Sequence, residues 1–589
     1  MQLPKEHLSQ DAIDNITKWL TEPKYAEYKQ DLEDMIATEQ WQQLEDAFFK
    51  VIEFGTAGRR GTTGVGSNRI NRVTIGESAQ ALCSYALEFD PDAAQTGVVI
   101  ACDTRLSSPE LTRFAAQVTA AHGFKTYVFD SFRSTPELSF AVRHLGCAVG
   151  IVISASHNPP ADNGFKAYWS DGAQLASPHD TGVLAVADTI TDIASVDYDQ
   201  AVADGRIVIL DTSVDDAYIA AVVAEAVGTD RDVDIIYSPL HGAGQTNVLP
   251  ALRMAGFAHV SPVASQMISD GNFPTIENGK PNPQDQSAND LAVAQMMSEN
   301  ADIAITNDPD ADRIGVVVRQ GDEPIYLNGN QSAVLVADYV LGTLQKKGTL
   351  TNKHYIAKTI VTTDMLDALA AHYGVNIYGN MLIGFKYIGA LILDKEQTDE
   401  VFVMGAEESY GLLKGSYARD KDGATGALPI AEYAAELKKE GKTLYDRFLE
   451  LCQQHGLYID QLNNLMCPGA SGFDQMKRIM DGLRTDPPRQ VGEHTVSAVL
   501  DYKTLKRKDL STGEETDIDC IAGNVVVFEF GDKRKRITVR PSGTEPNIKL
   551  YVQWFEEPDA TKAIAEQYDE LGHHVNGLSK QFEGHLLEF

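Results

Sequence analysis

With 589 residues the chain exceeds what one hydrophobic core normally supports, so its length implies roughly three to five domains. Its 43% hydrophobic and 23% charged residues exclude the collagenous and disordered classes. A formal net charge of -34 excludes a general binder of nucleic acid or anionic membrane, because the summed field repels phosphates; an anionic substrate needs a locally positive cleft.

The polar, acidic N-terminal stretch carries no recognisable secretory signal, and no apolar run reaches the roughly 18 residues of a membrane span. Cys83, Cys102, Cys147, Cys452, Cys467 and Cys520 are scattered and form no Cys-x-x-Cys pair. The expectation is a cytoplasmic protein with reduced thiols and no nucleic-acid or membrane partner. From Ser9 to about Lys50, Ile13, Ile16, Leu20, Leu32, Ile36, Trp41, Leu44 and Phe48 recur at helical spacing and predict a helical extension over 1–50. Residues 54–66 break that period with Gly and Thr and carry Arg59 and Arg60, a loop suited to close approach of an anion. Short apolar runs at 97–101, 125–129 and 148–153 then alternate with helical stretches, which implies a mostly parallel sheet flanked by helices. The alternation restarts at 233–237 and 301–305, and again at 354–359 and 401–404. The last hundred residues differ: β-branched or aromatic runs at 495–500, 525–530 and 537–539 precede a helical pattern over 560–571. With a Pro-containing linker near 485–489, the expected division is 51–230, 231–342 and 343–485 as α/β domains, and 486–589 as a smaller α+β domain.

Four segments carry chemistry. Ser156, in Ser154-Ala155-Ser156-His157-Asn158-Pro159-Pro160, leaves an apolar strand where open α/β sheets present ligand loops, so it reads as either a nucleophile or a turn-former. Pro159 and Pro160 stiffen the loop, Gly164 relaxes it, and Lys166 is placed to neutralise phosphate or move a proton. In Asp308-Pro309-Asp310-Ala311-Asp312-Arg313 the alternating carboxylates of an extended loop can converge on a hard cation, for which Mg2+ is the natural occupant. An EF-hand is disfavoured, because Arg313 and Arg319 stand where that loop needs Gly and Glu; a solvated acidic turn with Arg313 as ion-pair partner stays open. Glu407, Glu408 and Ser409 follow another apolar run and suit either vicinal sugar hydroxyls or a helix cap. Arg540-Pro541-Ser542-Gly543-Thr544 joins a guanidinium, hydroxyls and a glycine in a phosphate cradle, or else a surface turn.

These segments in this order, with Phe54-Gly55-Thr56-Ala57-Gly58-Arg59-Arg60-Gly61, resemble the α-D-phosphohexomutase superfamily, specifically its phosphoglucomutase and phosphomannomutase branch, from about residue 50 to the C-terminus. The resemblance implies three consecutive mixed-sheet α/β domains and a smaller C-terminal α+β domain, heart-shaped around a central cleft. It implies that Ser156 is the phosphorylated serine and that Asp308, Asp310 and Asp312 hold one Mg2+ whose shell the phosphoserine completes. Arg60 and Lys166 match residues beside the transferring phosphate, His157 travels with the serine loop as a catalytic candidate, and Arg313 flanks the metal. Lys386, in Gly384-Phe385-Lys386, matches a substrate contact or opposing acid/base. Glu407 and Ser409 match sugar-hydroxyl readers; Arg540, Ser542, Gly543 and Thr544 match the binder of the phosphate not being transferred. Two departures stand out: Gly411 occupies a position where some bacterial relatives have His, and Arg59 one where relatives often have Leu.

The implied activity is interconversion of hexose 1-phosphate and hexose 6-phosphate, glucose foremost, through a bound 1,6-bisphosphate that reorients. Glucose 1,6-bisphosphate is the implied activator, and a monomer or homodimer the implied assembly. A sugar-1,6-bisphosphate synthase or a phosphopentomutase uses the same site, and a non-catalytic sugar-phosphate-binding protein is the alternative from another class.

Overall fold

A computed structural model describes residues 3–53, 58–187, 189–467, 470–542 and 547–588. It divides into two compact units: Met1–Tyr326 with Gly389–Thr398 and Gly411–Ala435, and Leu327–Ile388 with Asp399–Tyr410 and Glu436–Phe589.

The first unit opens with helices Gln10–Thr21, Lys29–Ala37 and Trp41–Phe48. Ile16, Leu32, Ile36, Leu44 and Phe48 turn inward as expected and, with Trp19, which the expected set lacked, close over Val73 of helix Arg72–Phe89; Ile13, Leu20 and Trp41 are only partly buried at the edge of this cluster. Next comes a six-stranded sheet in the order Gly58–Thr62, Asp162–Trp169, Val149–Ile153, Val98–Cys102, Thr126–Phe129, Ile207–Leu210. The last four strands are parallel and the first two antiparallel to their neighbours, a mixed sheet. Val98–Cys102 and Val149–Ile153 are buried at every position, as parallel strands covered on both faces must be. A second mixed sheet runs Glu323–Leu327, Gly315–Gln320, Ile303–Thr306, Ile235–Ser238, Val260–Pro262.

In the second unit, Asn376–Tyr378, His354–Lys358 and Val401–Glu407 pair in parallel. A seven-stranded antiparallel sheet follows, ordered Leu457–Met466, Asn547–Glu556, Asp532–Pro541, Val526–Phe530, Ala498–Asp501, Lys506–Asp509, Glu515–Asp517. Helices Ala470–Thr485 and Ile564–Leu586 pack against it. Its first strand starts at Leu457, ahead of the limit at 485 expected from sequence; Asp460, Gln461, Asn463 and Asn464 have low β-propensity, and pairing with Asn547–Glu556 along ten residues overrides it. The final helix also outruns the expected 560–571, because Leu571, Val575, Leu578, Phe582 and Leu586 sustain a buried stripe. No helix among the described residues is long and apolar enough to cross a membrane.

Candidate active site

In the first unit the serine and aspartate loops meet. Ser156 follows strand Val149–Ile153 and takes a positive φ of 52°, a conformation a non-glycine residue holds only when its surroundings impose it. What imposes it is Arg105, which is 1% exposed and spends all five N–H donors on this loop and its anchor. Its Nη2 donates to the carbonyls of Ser156 and Asn158, each at 2.6 Å, and its Nη1 to those of Pro159 (2.6 Å) and Asp162 (2.9 Å). Its Nε donates to Asp103 Oδ2 at 3.0 Å. The backbone N–H of Ser156 donates to Ser154 Oγ at 2.8 Å. Gly164 is not a hinge but a point of close approach: a Cβ there would lie 2.6 Å from the Ser154 carbonyl oxygen.

So held, Ser156 Oγ donates to Asp308 Oδ2 at 2.6 Å, across 152 residues of sequence. His157 Nδ1 stands 3.2 Å from the same hydroxyl. The aspartates leave strand Ile303–Thr306 in a loop that carries Ala311 at φ 53°. The N–H groups of Thr135 and Gly423 bond the carbonyls of Asp310 (2.9 Å) and Ala311 (3.0 Å). Asp308, Asp310 and Asp312 are buried, and one oxygen of each lies within 4.8 Å of the others. Lys166 Nζ donates to Asp310 Oδ2 at 2.5 Å, with Asp312 Oδ2 3.6 Å away. Thr135 Oγ1 donates to the same Asp310 oxygen at 2.7 Å. Arg313 Nε is 3.8 Å from Asp308 and 3.9 Å from Asp312, and its backbone N–H donates to Asp308 Oδ1.

Burial, then the like charges of Asp312 and Asp310, push the Asp308 carboxyl well above the usual range. Burial also opposes ionisation of Asp310, but the Lys166 ammonium and its hydrogen bond hold that carboxyl well below it. Lys166 loses by burial and gains more from Asp310 and Asp312, so it is held protonated despite the nearby Arg60 and Lys421. The cluster is thus short of positive charge at Asp308. Asp310 Oδ1 and Asp312 Oδ1 are buried and accept no hydrogen bond. Buried carboxylate oxygens without a hydrogen bond, converging from one loop, fit a metal ion, and an all-oxygen set suits a hard one.

Arg60 lies opposite Gly164 in the strand pair, and its charge reaches both Lys166 and Asp310. Arg59 points the other way: it donates to Glu77 and to the carbonyl of Thr74, both at 2.8 Å, and Lys24 completes the cluster 2.6 Å from Glu77. Arg59 therefore ties the N-terminal helices to the first sheet and does not face the anion for which the 54–66 loop is suited. Phe54, Gly55, Thr56 and Ala57 of that loop lie outside the described residues.

Sequence reasoning missed Arg105, Thr135 and the pair Asp420-Lys421. Lys421 Nζ sits 3.3 Å from Asp312 Oδ2 and 3.0 Å from Asp420 Oδ1, and Asp420 accepts from Tyr168 and Gln174, each at 2.8 Å. The run Arg419-Asp420-Lys421-Asp422-Gly423, four charges ending in glycine, was the available signal.

The second unit holds the remaining residues. Glu407 ends strand Val401–Glu407 and is buried, as is Glu408; Ser409 is half-buried, and Tyr410 turns the chain at φ 69°. Gly329, which opens helix Gly329–Lys346, lies so near that a Cβ would meet the Glu408 carbonyl at 2.3 Å, so only glycine fits. Arg540 lies near the end of strand Asp532–Pro541; burial opposes its charge, while Tyr551, Glu408 and Glu407 favour it and raise its pKa. The guanidinium thus faces the carboxylates of Glu407 and Glu408. Ser542 N–H bonds the Asn547 carbonyl at 2.8 Å. Gly543 and Thr544 lie outside the described residues. Lys386 is buried near the start of helix Phe385–Lys395, with Nζ 5.0 Å from the centre of the Tyr387 ring.

Family models described as phosphoglucomutase/phosphomannomutase α/β/α domains I, II and III match residues 51–194, 216–321 and 328–454. A phosphoglucomutase of Staphylococcus epidermidis is 34% identical over 518 residues, 87% of this chain and 92% of its own. A phosphoglucomutase of Staphylococcus aureus strain MRSA252 is 34% identical over 542 residues, 91% and 94% respectively. Among solved structures, a phosphoglucomutase/phosphomannomutase family protein from Burkholderia thailandensis matches with TM-score 0.61 at 19% identity, covering 90% of this chain and 97% of that one. The phosphoglucomutase parafusin of Paramecium, in an open form, matches with TM-score 0.61 at 18% identity, covering 90% and 98%. At these identities the solved structures speak to the fold: three α/β/α domains with mixed sheets and a β-rich C-terminal domain.

Proposed function

The chain belongs to the phosphoglucomutase/phosphomannomutase family and is a phosphohexose mutase; from that premise we propose that it interconverts glucose 1-phosphate and glucose 6-phosphate through phospho-Ser156 and an enzyme-held 1,6-bisphosphate. The observation that carries this reading is the 2.6 Å bond from Ser156 Oγ to Asp308, inside a buried carboxylate cluster with two oxygens that accept no hydrogen bond. The name borne by relatives at 34% identity supports glucose as the hexose.

Asp308, Asp310 and Asp312, with the serine phosphate, would hold one Mg2+, which when bound neutralises charge on the transferring phosphoryl group. In the first transfer the Oγ–P bond of phospho-Ser156 breaks as the free sugar hydroxyl forms its own bond to phosphorus. The hydroxyl gives up a proton and the serine oxygen regains one. Lys166, held as an ammonium by Asp310, supplies charge and the proton to Oγ. His157 beside Ser156, or Lys386, is the partner for the hydroxyl proton. Arg60 and Arg313 add fixed positive charge. Glu407 and Ser409 read sugar hydroxyls, and Arg540 and Ser542 with Gly543 and Thr544 take the phosphate that is not moving. After the bisphosphate turns over, Ser156 recovers a phosphate from the other position.

The test is Ser156→Ala. Turnover falls by on the order of 10^4–10^6, and label from glucose 1,6-bisphosphate is no longer incorporated; normal turnover in the variant overturns the reading. A panel of glucose, mannose and ribose phosphates, with and without added glucose 1,6-bisphosphate as activator, separates the hexose mutase from a phosphopentomutase and a bisphosphate synthase. Binding without turnover or serine phosphorylation would mark a non-catalytic sugar-phosphate binder.

A further inference from the structure

Far along the chain from the aspartate loop, the C-terminal part of the second unit brings two histidines and a carboxylate together. His494 stands in the short hairpin of Gln490–Val491 and His494–Thr495, Glu493 occupies its turn, and His574 projects from helix Ile564–Leu586. The two imidazoles meet through Nε2 atoms 3.1 Å apart. Glu493 Oε1 lies 3.9 Å from His494 Nε2, and one ligand atom of each of the three residues lies within 4.8 Å of the others. His494 is held in place by rings: Trp554 at 4.7 Å and Phe530 at 6.5 Å between centroids, both edge-on. Trp554 is itself buried, so the base of the cluster is rigid while Glu493 and His574 face solvent.

The nitrogen separation is informative. Two imidazoles bound to one Zn2+ at about 2.0–2.1 Å place their nitrogens about 2.9 Å apart at a right angle and about 3.4 Å apart at the tetrahedral angle. The observed 3.1 Å falls between these limits. Two imidazole nitrogens and a carboxylate suit a borderline first-row cation, whereas the all-oxygen aspartate group suits a hard one.

We propose that Glu493, His494 and His574 form a second metal site, selective for Zn2+ and similar borderline divalent cations, that clips the 490–495 hairpin to the C-terminal helix. It is open to water on its outer side, and its effect is on the stability of the C-terminal sheet, not on phosphoryl transfer. It stands independently of the functional reading above.

Full-length protein stripped by chelator and returned to excess Mg2+, which occupies the hard-cation site, is titrated calorimetrically with Zn2+. One equivalent binds and the melting temperature rises. His494→Ala and His574→Ala each weaken Zn2+ binding by at least the roughly tenfold that loss of an outer-shell partner already costs, while mutase activity at saturating Mg2+ is unchanged. His573→Ala, one residue along the same helix, leaves Zn2+ affinity as it was. Should the alanine variants unfold, His574→Gln gives the same reading with the ring alone removed. Absence of Zn2+ binding to the wild type, or affinity indifferent to both His494 and His574, overturns the proposal.

Discussion

The serine and aspartate loops of the first unit and the Glu407 and Arg540 loops of the second distribute charge differently. The first gathers three carboxylates within 4.8 Å among several cations, Lys166, Lys421 and Arg313 among them, and still leaves the Asp308 carboxyl raised and two oxygens without a hydrogen bond. The second sets one guanidinium against two carboxylates, Glu407 and Glu408, and leaves Glu408 Oε2 and Arg540 Nε buried without a hydrogen bond, so its charge rests on a single outnumbered cation. The difference is one of distribution: where charge is divided among many buried partners no single cation carries the balance, whereas a centre resting on one guanidinium is altered by a single substitution.

The sharpest break of this contrast is Asp310→Asn. It removes both a candidate metal ligand and the nearer of the two carboxylates that hold Lys166 protonated, so kcat falls on the order of a thousandfold or more. A Mg2+ titration of activity, with a melting curve to confirm folding, checks it; a variant with normal kcat would mean that Asp310 neither holds the metal nor sets the charge of Lys166.

Asp422 is the intermediate case, a buried carboxylate of the first unit whose hydrogen bonds come from the hydroxyls of Tyr417 and Tyr218 and the backbone N–H of Ala424. Burial pushes it up to about 6, although Tyr417 and Tyr218 donate to it. Its folded pKa lies above the unfolded one, so the stability linked to its proton is complete below about pH 4 and is lost as pH rises through about 6. Asp422→Asn removes that slope, flattening the pH dependence of unfolding free energy over this window by on the order of 3 kcal/mol. Denaturant unfolding at pH 4 and pH 7 measures it, and an unchanged slope would show that the carboxyl titrates normally.

The smallest effect belongs to the second unit. Arg540→Lys keeps the charge but replaces a fork by a point, so KM for the sugar phosphate rises about tenfold with kcat less affected. Steady-state kinetics at saturating glucose 1,6-bisphosphate read the split; a fall confined to kcat would move Arg540 from holding phosphate to the chemical step.

The residues that sequence reasoning found share a property. Ser156 and the three aspartates sit just past apolar strands, where a short run names both the strand and the loop it presents. The residues it missed act through distance. Arg105 reaches carbonyls 51 to 57 residues away, and Thr135 meets Asp310 across 175. Nothing in Asp103-Thr104-Arg105 distinguishes a buried organiser from a surface turn. Arg59 shows the reverse error: a second arginine in a phosphate-like loop invites an anion, yet strand alternation sends it to Glu77 on the opposite face from Arg60.

The sequence by itself determined which groups were available and where chemistry begins, because strand-end spacing and alternating carboxylates are local patterns. Only the tertiary structure decided which charges meet: that Lys166 answers Asp310, that Asp308 is left over, that four donors of one arginine hold the serine loop, and that two histidines 80 residues apart point at one spot. Pairing energies depend on distance and burial, and neither is written in the order of residues.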